Sequence, residues 1–447
     1  MTGINKYFRE LLFEEVRPEP LAFFRIVFGL LMTFSTIRYI SNGWINEFFV
    51  QPQYYFKYPY FHWVQNPGEI GIYFLFGTLL LSSILITIGY KYRFASIAFL
   101  LSFLYIELID ITYYLNHYYF VSLIAFIMVF LPAERCFSLD ASRYGETKTI
   151  PNWTILIIKF QVAIVYIFAG LAKLNYDWLI DAMPLSIWLP ANSHIPIVGG
   201  LLKLKFTAYL FSWFGAIYDL FIVLFLIYPK TRKVAYFFVI VFHLSTSVLF
   251  NIGVFPYVMI ALTTIYFDKS FQVNIITKLK NYINYKTKFV TTHSYRPIIK
   301  SIITTSILIF TIVQIAIPLR FMFYKGDLFW KEEGYRFSWR VMLMEKAGTV
   351  FFRVHDRDNG RNIEIVNSDY LTANQEKQMS TQPDLILQFV KIIEEDFAKK
   401  GKTNIEIYAD SFVKLNGNFS RRYIDDKIDL TQISYSDDLD TWILPNN

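Results

Sequence analysis

Lys173 closes an otherwise uncharged apolar run, FQVAIVYIFAGLAKL, from Phe160 to Leu174. An ionisable side chain inside or at the rim of a membrane helix is costly, so such groups are paired, solvated or functional. A desolvated lysine loses proton affinity because burial penalises the ammonium form, which makes Lys173 a candidate general base near neutral pH. The alternative is snorkelling, in which a lysine near a helix end reaches the headgroups. Position alone leaves both open. Other polar groups are expected at the same membrane level. Asn116 and His117 open one apolar segment, and His243, Thr246 and Ser247 share a helix face at i, i+3, i+4, with Asn251 following. Tyr166, Gly170 and Lys173 share another face, and Ala169-Gly170 permits close helix approach. Each member has a plainer reading: Asn116 also suits a helix cap, and His243 a satisfied core histidine. Glu107 and Asp110 could serve only to neutralise Lys173, while Asp219 and Arg25 are expected deeper or on the inner side, in structural roles. Together these groups suggest one shared polar cavity.

Composition requires a membrane to hold them. Apolar residues form 54% of the chain, aromatic residues 19% and charged residues only 18%, against about 25% charged in soluble domains. The net charge of +7 suits basic loops beside lipid. No focused basic stripe in a soluble domain points to nucleic acid. Cys136 is the single cysteine, so an intramolecular disulfide and a cysteine-rich zinc site are excluded, and no metal site is expected. The first twenty residues carry four glutamates among three basic residues. They lack the apolar core and cleavage pattern of a removable signal peptide.

Nine stretches are apolar enough to span or dip into a bilayer at about 20 residues per crossing. They lie near 20–40, 72–90, 94–114, 117–132, 154–174, 207–228, 233–250, 253–267 and 299–320. The eighth is short and contains Pro256, so a re-entrant or tilted path is open to it. Lysine and arginine concentrate in alternate loops, around 91–93, 135–148, 230–233 and 269–296, while the intervening loops are nearly bare. By the positive-inside rule residues 1–19 form a cytoplasmic N-terminus, 20–322 a multi-span domain, and 323–447 a domain outside. The expected fold is a membrane all-α bundle of about nine helices followed by a small α+β extracytoplasmic domain. In that domain Val350–His355 and Arg361–Val366 alternate around Asp358-Asn359-Gly360, a hairpin signal. Asp384 is expected to cap a helix with apolar positions Leu385, Phe389, Ile392, Ile393 and Phe397, Gly401 to end it, and Asn404–Ala409 to form another strand. Gly401-Lys402-Thr403 is no phosphate loop, since it follows a helix rather than opening one.

FAGLAKLNYDWL (Phe168–Leu179), with four further blocks, resembles the vitamin K-dependent gamma-glutamyl carboxylases and their bacterial relatives with the horizontally transferred transmembrane (HTTM) domain. That block carries the strongest likeness. LNHYYFVSLIAF (Leu115–Phe126), HLSTSVLFNIGVFPYVMI (His243–Ile260), PLAFFRIVFGLL (Pro20–Leu31) and FSWRVMLMEK (Phe337–Lys346) follow. The resemblance implies an enzyme that oxygenates a reduced vitamin K-type naphthoquinone with O2 and uses the strong base produced to remove a γ-proton from protein-bound glutamate, the carbanion capturing CO2. It implies that Lys173 deprotonates the hydroquinone and that His117 serves carboxylation, with Asn116, Tyr166, His243, Ser247 and Asn251 around the pocket. A water-poor pocket fits such chemistry. Vertebrate members carry two adjacent lysines, where this chain has Ala172 before Lys173. The Cys-poor, Ile/Lys/Asn/Tyr-rich composition suggests a bacterial inner membrane, with menaquinol as the available naphthoquinol. The partners implied are a glutamyl-containing peptide or protein and membrane lipid. Two alternatives stay open: a quinol epoxidase or oxygenase without carboxylation, and a non-enzymatic membrane module presenting its outer domain to a partner.

Overall fold

The computed structural model describes residues 3–250, 252–290 and 295–446. In chain order the apolar helices are α1 (Glu19–Ser41), α2 (Gly68–Ile88), α3 (Tyr92–Ile109), α4 (Asn116–Phe130), α5 (Trp153–Ala172), α6 (Lys205–Ile227), α7 (Arg232–Leu249), α8 (Phe255–Thr263) and α9 (Pro297–Leu319). Among the described residues seven are long and apolar enough to cross a membrane; α4 and α8 are the shorter two. Proline marks one end of each. Leu131 takes an extended backbone before Pro132 and stops α4, because a residue preceding proline is pushed out of the helical region. Pro256 sits in the first turn of α8, where its missing N–H does no harm.

The helices enclose one apolar core of residues such as Phe24, Phe28, Phe99, Phe120, Val162 and Ile222. Their outer faces carry exposed Phe74, Phe94, Leu101, Phe206, Leu224 and Ile302, as lipid-facing helices require. The α5 helix is the most enclosed of the long spans and α9 the least. The loops that the charge pattern separates into two sets gather at opposite ends of the bundle. At one end Lys280 pairs with Glu146 at 2.7 Å, and the 146–147 segment pairs with 289–290. There, as the residue type suggested, Arg25 is structural: fully buried, it donates to the Ile86 and Thr87 carbonyls at 2.9 and 2.7 Å. These are carbonyls of the last turn of α2, where intrahelical donors run out; the Gly89 N–H caps Ile86 O as well, at 3.1 Å.

At the other end sits the C-terminal domain. Strands β1 (Lys346–Asp356), β2 (Arg361–Ile365), β3 (Ile405–Leu415) and β4 (Arg421–Arg422) form an antiparallel sheet in the order β2-β1-β3-β4. Helix α10 (Pro383–Lys399) covers it. Val350, Phe352 and Val354 alternate inward from β1 and meet Leu385, Phe389, Ile393 and Phe397 of α10. The hairpin is as the alternation predicts, while β3 runs six residues past the expected end at Ala409, because its partner β1 is equally long. Asp384 does not cap α10; it lies in the first turn and binds Arg336 at 2.6 Å. Gly401 follows the helix at φ +77, a conformation that carries little steric cost without a Cβ.

Two membrane-domain loops enter the C-terminal domain. Phe56, Tyr58 and Ile111 are part of its apolar core. Gln388 of α10 holds both backbone groups of Lys57, and Gln375 donates to Asp110 at 2.7 Å. The sheet is thereby fixed over the ends of α3 and α4.

Candidate functional site

A helix points its Cα–Cβ bonds toward its own N-terminus. Lys173, the residue after the last turn of α5, therefore turns back along its helix. Its Nζ donates to Ala169 O at 3.2 Å and to Asp219 Oδ2 at 2.7 Å. Both side chains of this ion pair are nearly shut off, at 7% and 6% exposure. Snorkelling would carry the ammonium the other way, so the structure rejects that reading. The approach of α5 to α6 makes the pair possible: a Cβ on Gly170 would stand 2.7 Å from Leu220 N, one residue beyond Asp219. Trp178 forms the floor, its ring centroid 5.4 Å from Lys173 Nζ. Its indole N–H donates to Ser212 O at 2.8 Å, and Asn175 caps its turn by accepting from the Trp178 backbone N–H at 2.9 Å.

The pair faces a cavity of about 90 Å³. Val165, Phe211, Phe242, Phe250, Phe255 and Met259 give it apolar walls. At one side Tyr166 and His243 share a hydrogen bond, hydroxyl to Nε2, at 2.9 Å. The C-terminal domain closes the cavity with Val341 and Met342. This closing loop is strained, since Phe337, Trp339 and Met342 all adopt positive φ, at about 1–3 kcal/mol each. Packing holds it: Trp339 stacks on Tyr119 with centroids 5.0 Å apart, and the Phe337 N–H donates to the Tyr114 hydroxyl at 2.7 Å. Beyond the loop, Trp188 donates to Glu345 at 2.5 Å and Asn416 to Asp177 at 2.5 Å. At the start of β1, burial pulls the Lys346 ammonium below its ordinary range and the Glu332 carboxylate 2.8 Å away opposes that.

An apolar chamber that holds one ion pair and a tyrosine–histidine pair sets groups able to give and take protons beside apolar walls. Family comparisons match the same two regions. Residues 13–271, more than half of the chain, match the model of the HTTM domain. Residues 299–447 match that of the vitamin K-dependent gamma-carboxylase lumenal domain. The chain belongs to the vitamin K-dependent gamma-carboxylase family. No solved structure matches it.

Within this carboxylase-family chain the expected site residues divide. Lys173, Tyr166 and His243 line one cavity. His117 is buried nearby but does not line the cavity: its ring stacks on Phe255, a lining residue, with centroids 5.7 Å apart, and Phe255 meets His243 edge-on at 6.2 Å. Asn116 lies outside the cavity lining; its amide donates to Arg340 O at 3.1 Å, steadying the residue before Val341. Ser247 is likewise outside the lining, its hydroxyl turned back to Leu244 O at 2.9 Å, and Thr246 takes the cavity face. Asn251 lies outside the described residues. Glu107 and Asp110 do not neutralise Lys173. Glu107 lines a separate cavity with Tyr39 and Tyr118, and Asp110 is held by Thr112 and Gln375.

Sequence reasoning missed Asp219, Trp178, Val341 and Met342. A signal for Asp219 was available. It is the one acidic residue of α6, and an intramembrane carboxylate needs a cation at its own depth. The error lay in placing Lys173 at the depth of its Cα instead of one turn back toward Ala169. Val341 and Met342 have no such signal, because they reach the cavity from a different domain.

Proposed function

We propose that this protein is a membrane quinol-dependent peptidyl-glutamate γ-carboxylase, coupling oxygenation of a reduced naphthoquinone to carboxylation of glutamate. The observation that carries the reading is the Lys173–Asp219 pair opening on an apolar chamber capped by the C-terminal domain. The substrate supplies reducing power with O2 and so generates the strong base that the carboxylation needs. The chain's residues do the rest. Phe211, Phe242, Phe250 and Phe255 present aromatic walls to a naphthalene ring, excluding water from the reacting centre. The Lys173–Asp219 centre receives the hydroquinone proton. The Tyr166–His243 pair at the side of the chamber orients the substrate oxygens. His117, stacked on Phe255, serves the glutamyl step, and the C-terminal domain gives a peptide access. The native quinol is proposed to be menaquinol in a bacterial inner membrane, with nine membrane-spanning segments, the N-terminus inside and residues 323–447 outside.

The position of His117 outside the chamber lining favours one second reading, quinol oxygenation that has lost carboxylation. Purified protein in lipid, given a reduced naphthoquinone, O2, labelled bicarbonate and a glutamate-rich peptide, separates the two. Mass spectrometry should find the label on glutamate together with quinone epoxide. Epoxide without label leaves the oxygenase reading, and neither product removes both.

A further inference from the structure

We infer that the Arg320 and Arg340 guanidiniums, where α9 meets the C-terminal domain, bind the phosphate of a phospholipid in the leaflet that this domain faces. The bound headgroup then holds the loop that closes the chamber. This holds whether or not the quinol reading does. An arginine does not shed its proton in a protein, so a buried one needs acceptors. Arg340 is 8% exposed. Among the described residues its guanidinium donates no hydrogen bond and forms no ion pair, and its Nε is enclosed without an acceptor. Its Cζ lies 4.3 Å from the centroid of the Phe321 ring. A ring face attracts a cation but leaves a guanidinium's five in-plane donors unmet. Burial pulls the Arg340 guanidinium below its ordinary range, and Arg320 acts in the same direction. Arg320 itself donates to the Ile317 and Arg336 carbonyls and has no carboxylate partner among the described residues.

The carboxylates of this region are already paired. Asp384 holds Arg336 at 2.6 Å, Glu332 holds Lys346 at 2.8 Å and Asp440 holds Lys331 at 2.5 Å. Glu333 pairs with neither arginine; it lines a cavity of about 250 Å³ with Phe321, Tyr324 and Lys325. Two positive charges are thus left uncompensated by the chain.

The surrounding side chains say which anion answers them. The lipid-facing side of α9 stays apolar through Ile312 and Ile315 to Met322 and Phe323, which are 70% and 88% exposed. It gives way at Tyr324 and Lys325. The 23 residues of α9 cover about 34 Å at 1.5 Å each, against a hydrocarbon core of about 30 Å. Arg320, in the short turn that follows the helix, therefore lies at the headgroup level, where tyrosines and long basic side chains collect. A phosphate diester there accepts from both guanidiniums through its free oxygens, the pairing that a guanidinium fork fits. Its acyl chains run along the apolar side that ends at Phe323, and the cavity beside Phe321 gives the headgroup room. A soluble anion would leave Met322 and Phe323 uncovered. Arg340 stands between Trp339 and Met342, both at positive φ, and directly precedes Val341 of the chamber lining. A phosphate shared by the two arginines ties this loop to the end of α9.

The full chain in a maltoside detergent is titrated with tail-labelled fluorescent phosphatidylglycerol and with diacylglycerol of the same chains, which lacks the phosphate. Polarisation should show saturable binding of phosphatidylglycerol and at least about 10-fold weaker binding of diacylglycerol. Arg340→Gln and Arg320→Gln should each weaken phosphatidylglycerol binding by about 10–150-fold, the range for hydrogen bonds to a charged group. Lys325→Gln, at an exposed lysine, should cost no more than about 5-fold, the share of one surface charge. Phosphatidylglycerol should also slow proteolysis between 337 and 345 in the wild type and not in Arg340→Gln. Glutamine variants that bind as the wild type does, or lose no more than Lys325→Gln, overturn the site. Diacylglycerol binding as tightly as phosphatidylglycerol overturns the phosphate, and a glutamate-rich peptide that binds through Arg340 where the lipid does not overturns the lipid. Equal cleavage with and without lipid overturns the hold on the loop. If Arg340→Gln does not fold, Arg320→Gln decides in both assays.

Discussion

Breaking the Lys173–Asp219 pair from one side should destabilise the protein far more than removing it whole. Lys173→Met deletes the ammonium while keeping the stem's volume. Asp219, 4% exposed, then loses its ion-pair partner at 2.7 Å. Breaking a buried pair in this way costs about 3–5 kcal/mol. Proton uptake caps that cost: neutralising an ordinary aspartate at pH 7 takes about 4 kcal/mol, from a reference value near 3.9 and about 1.36 kcal/mol per unit. The expected loss is therefore about 3–4 kcal/mol. Asp219→Asn is bounded in the same way by deprotonating the lysine, at nearly 5 kcal/mol. The double variant Lys173→Met with Asp219→Asn buries two neutral groups of similar size and should lie within about 2 kcal/mol of the wild type. The assay is a denaturant titration in mixed micelles on all four proteins. A coupling of at least about 3 kcal/mol is expected. Single losses below about 1 kcal/mol, or a double loss equal to the sum of the singles, would show that the pair is not formed and remove the basis for any proton chemistry there.

Gly170→Ala places a Cβ 2.7 Å from Leu220 N, so α5 and α6 must move apart. A loss of about 1–3 kcal/mol is expected, with quinol turnover falling as Lys173 and Asp219 separate; unchanged stability in the same titration would refute the close approach. Asn416→Ala removes the bonds to Asp177 and to the Glu345 N–H and should loosen the C-terminal domain, seen as faster proteolysis between 323 and 345. Equal cleavage rates would mean the domain is held elsewhere. His117→Ala should lower glutamate carboxylation by about 10²–10⁴-fold with epoxide formation falling less, because His117 does not line the chamber; parallel loss would place it in the quinol step or the fold. Reporter fusions after Tyr324 should be active outside and fusions within 270–295 inside. An inside signal after Tyr324 would put the chamber at the cytoplasmic face.

The sequence alone determined the helical membrane domain and the mixed C-terminal domain, because both rest on local patterns. Apolar run length gives the spans, alternation gives β1 and β2, and Leu385 to Phe397 at helical spacing gives α10. It also placed Lys173, Tyr166 and His243 on one chamber, since residues at the same helix end and on inward faces need little more than topology to converge. What it could not decide was how side chains leave their backbones and which domain supplies a wall. The depth of Lys173 depends on the backward lean of a helical side chain, which brings it to Asp219 and not to the headgroups. That meeting also needs α5 and α6 to touch at Gly170, a contact between helices 33 residues apart in sequence by their nearest ends. The lid depends on a longer reach still. Val341 and Met342 carry no chemistry of their own, and only the docking of the sheet through Asp110, Asn116 and Asp177 brings them over the pair. Ser247 and Thr246 differ by one residue and so by about 100° around α7, an angle set by helix packing and left open by the sequence pattern.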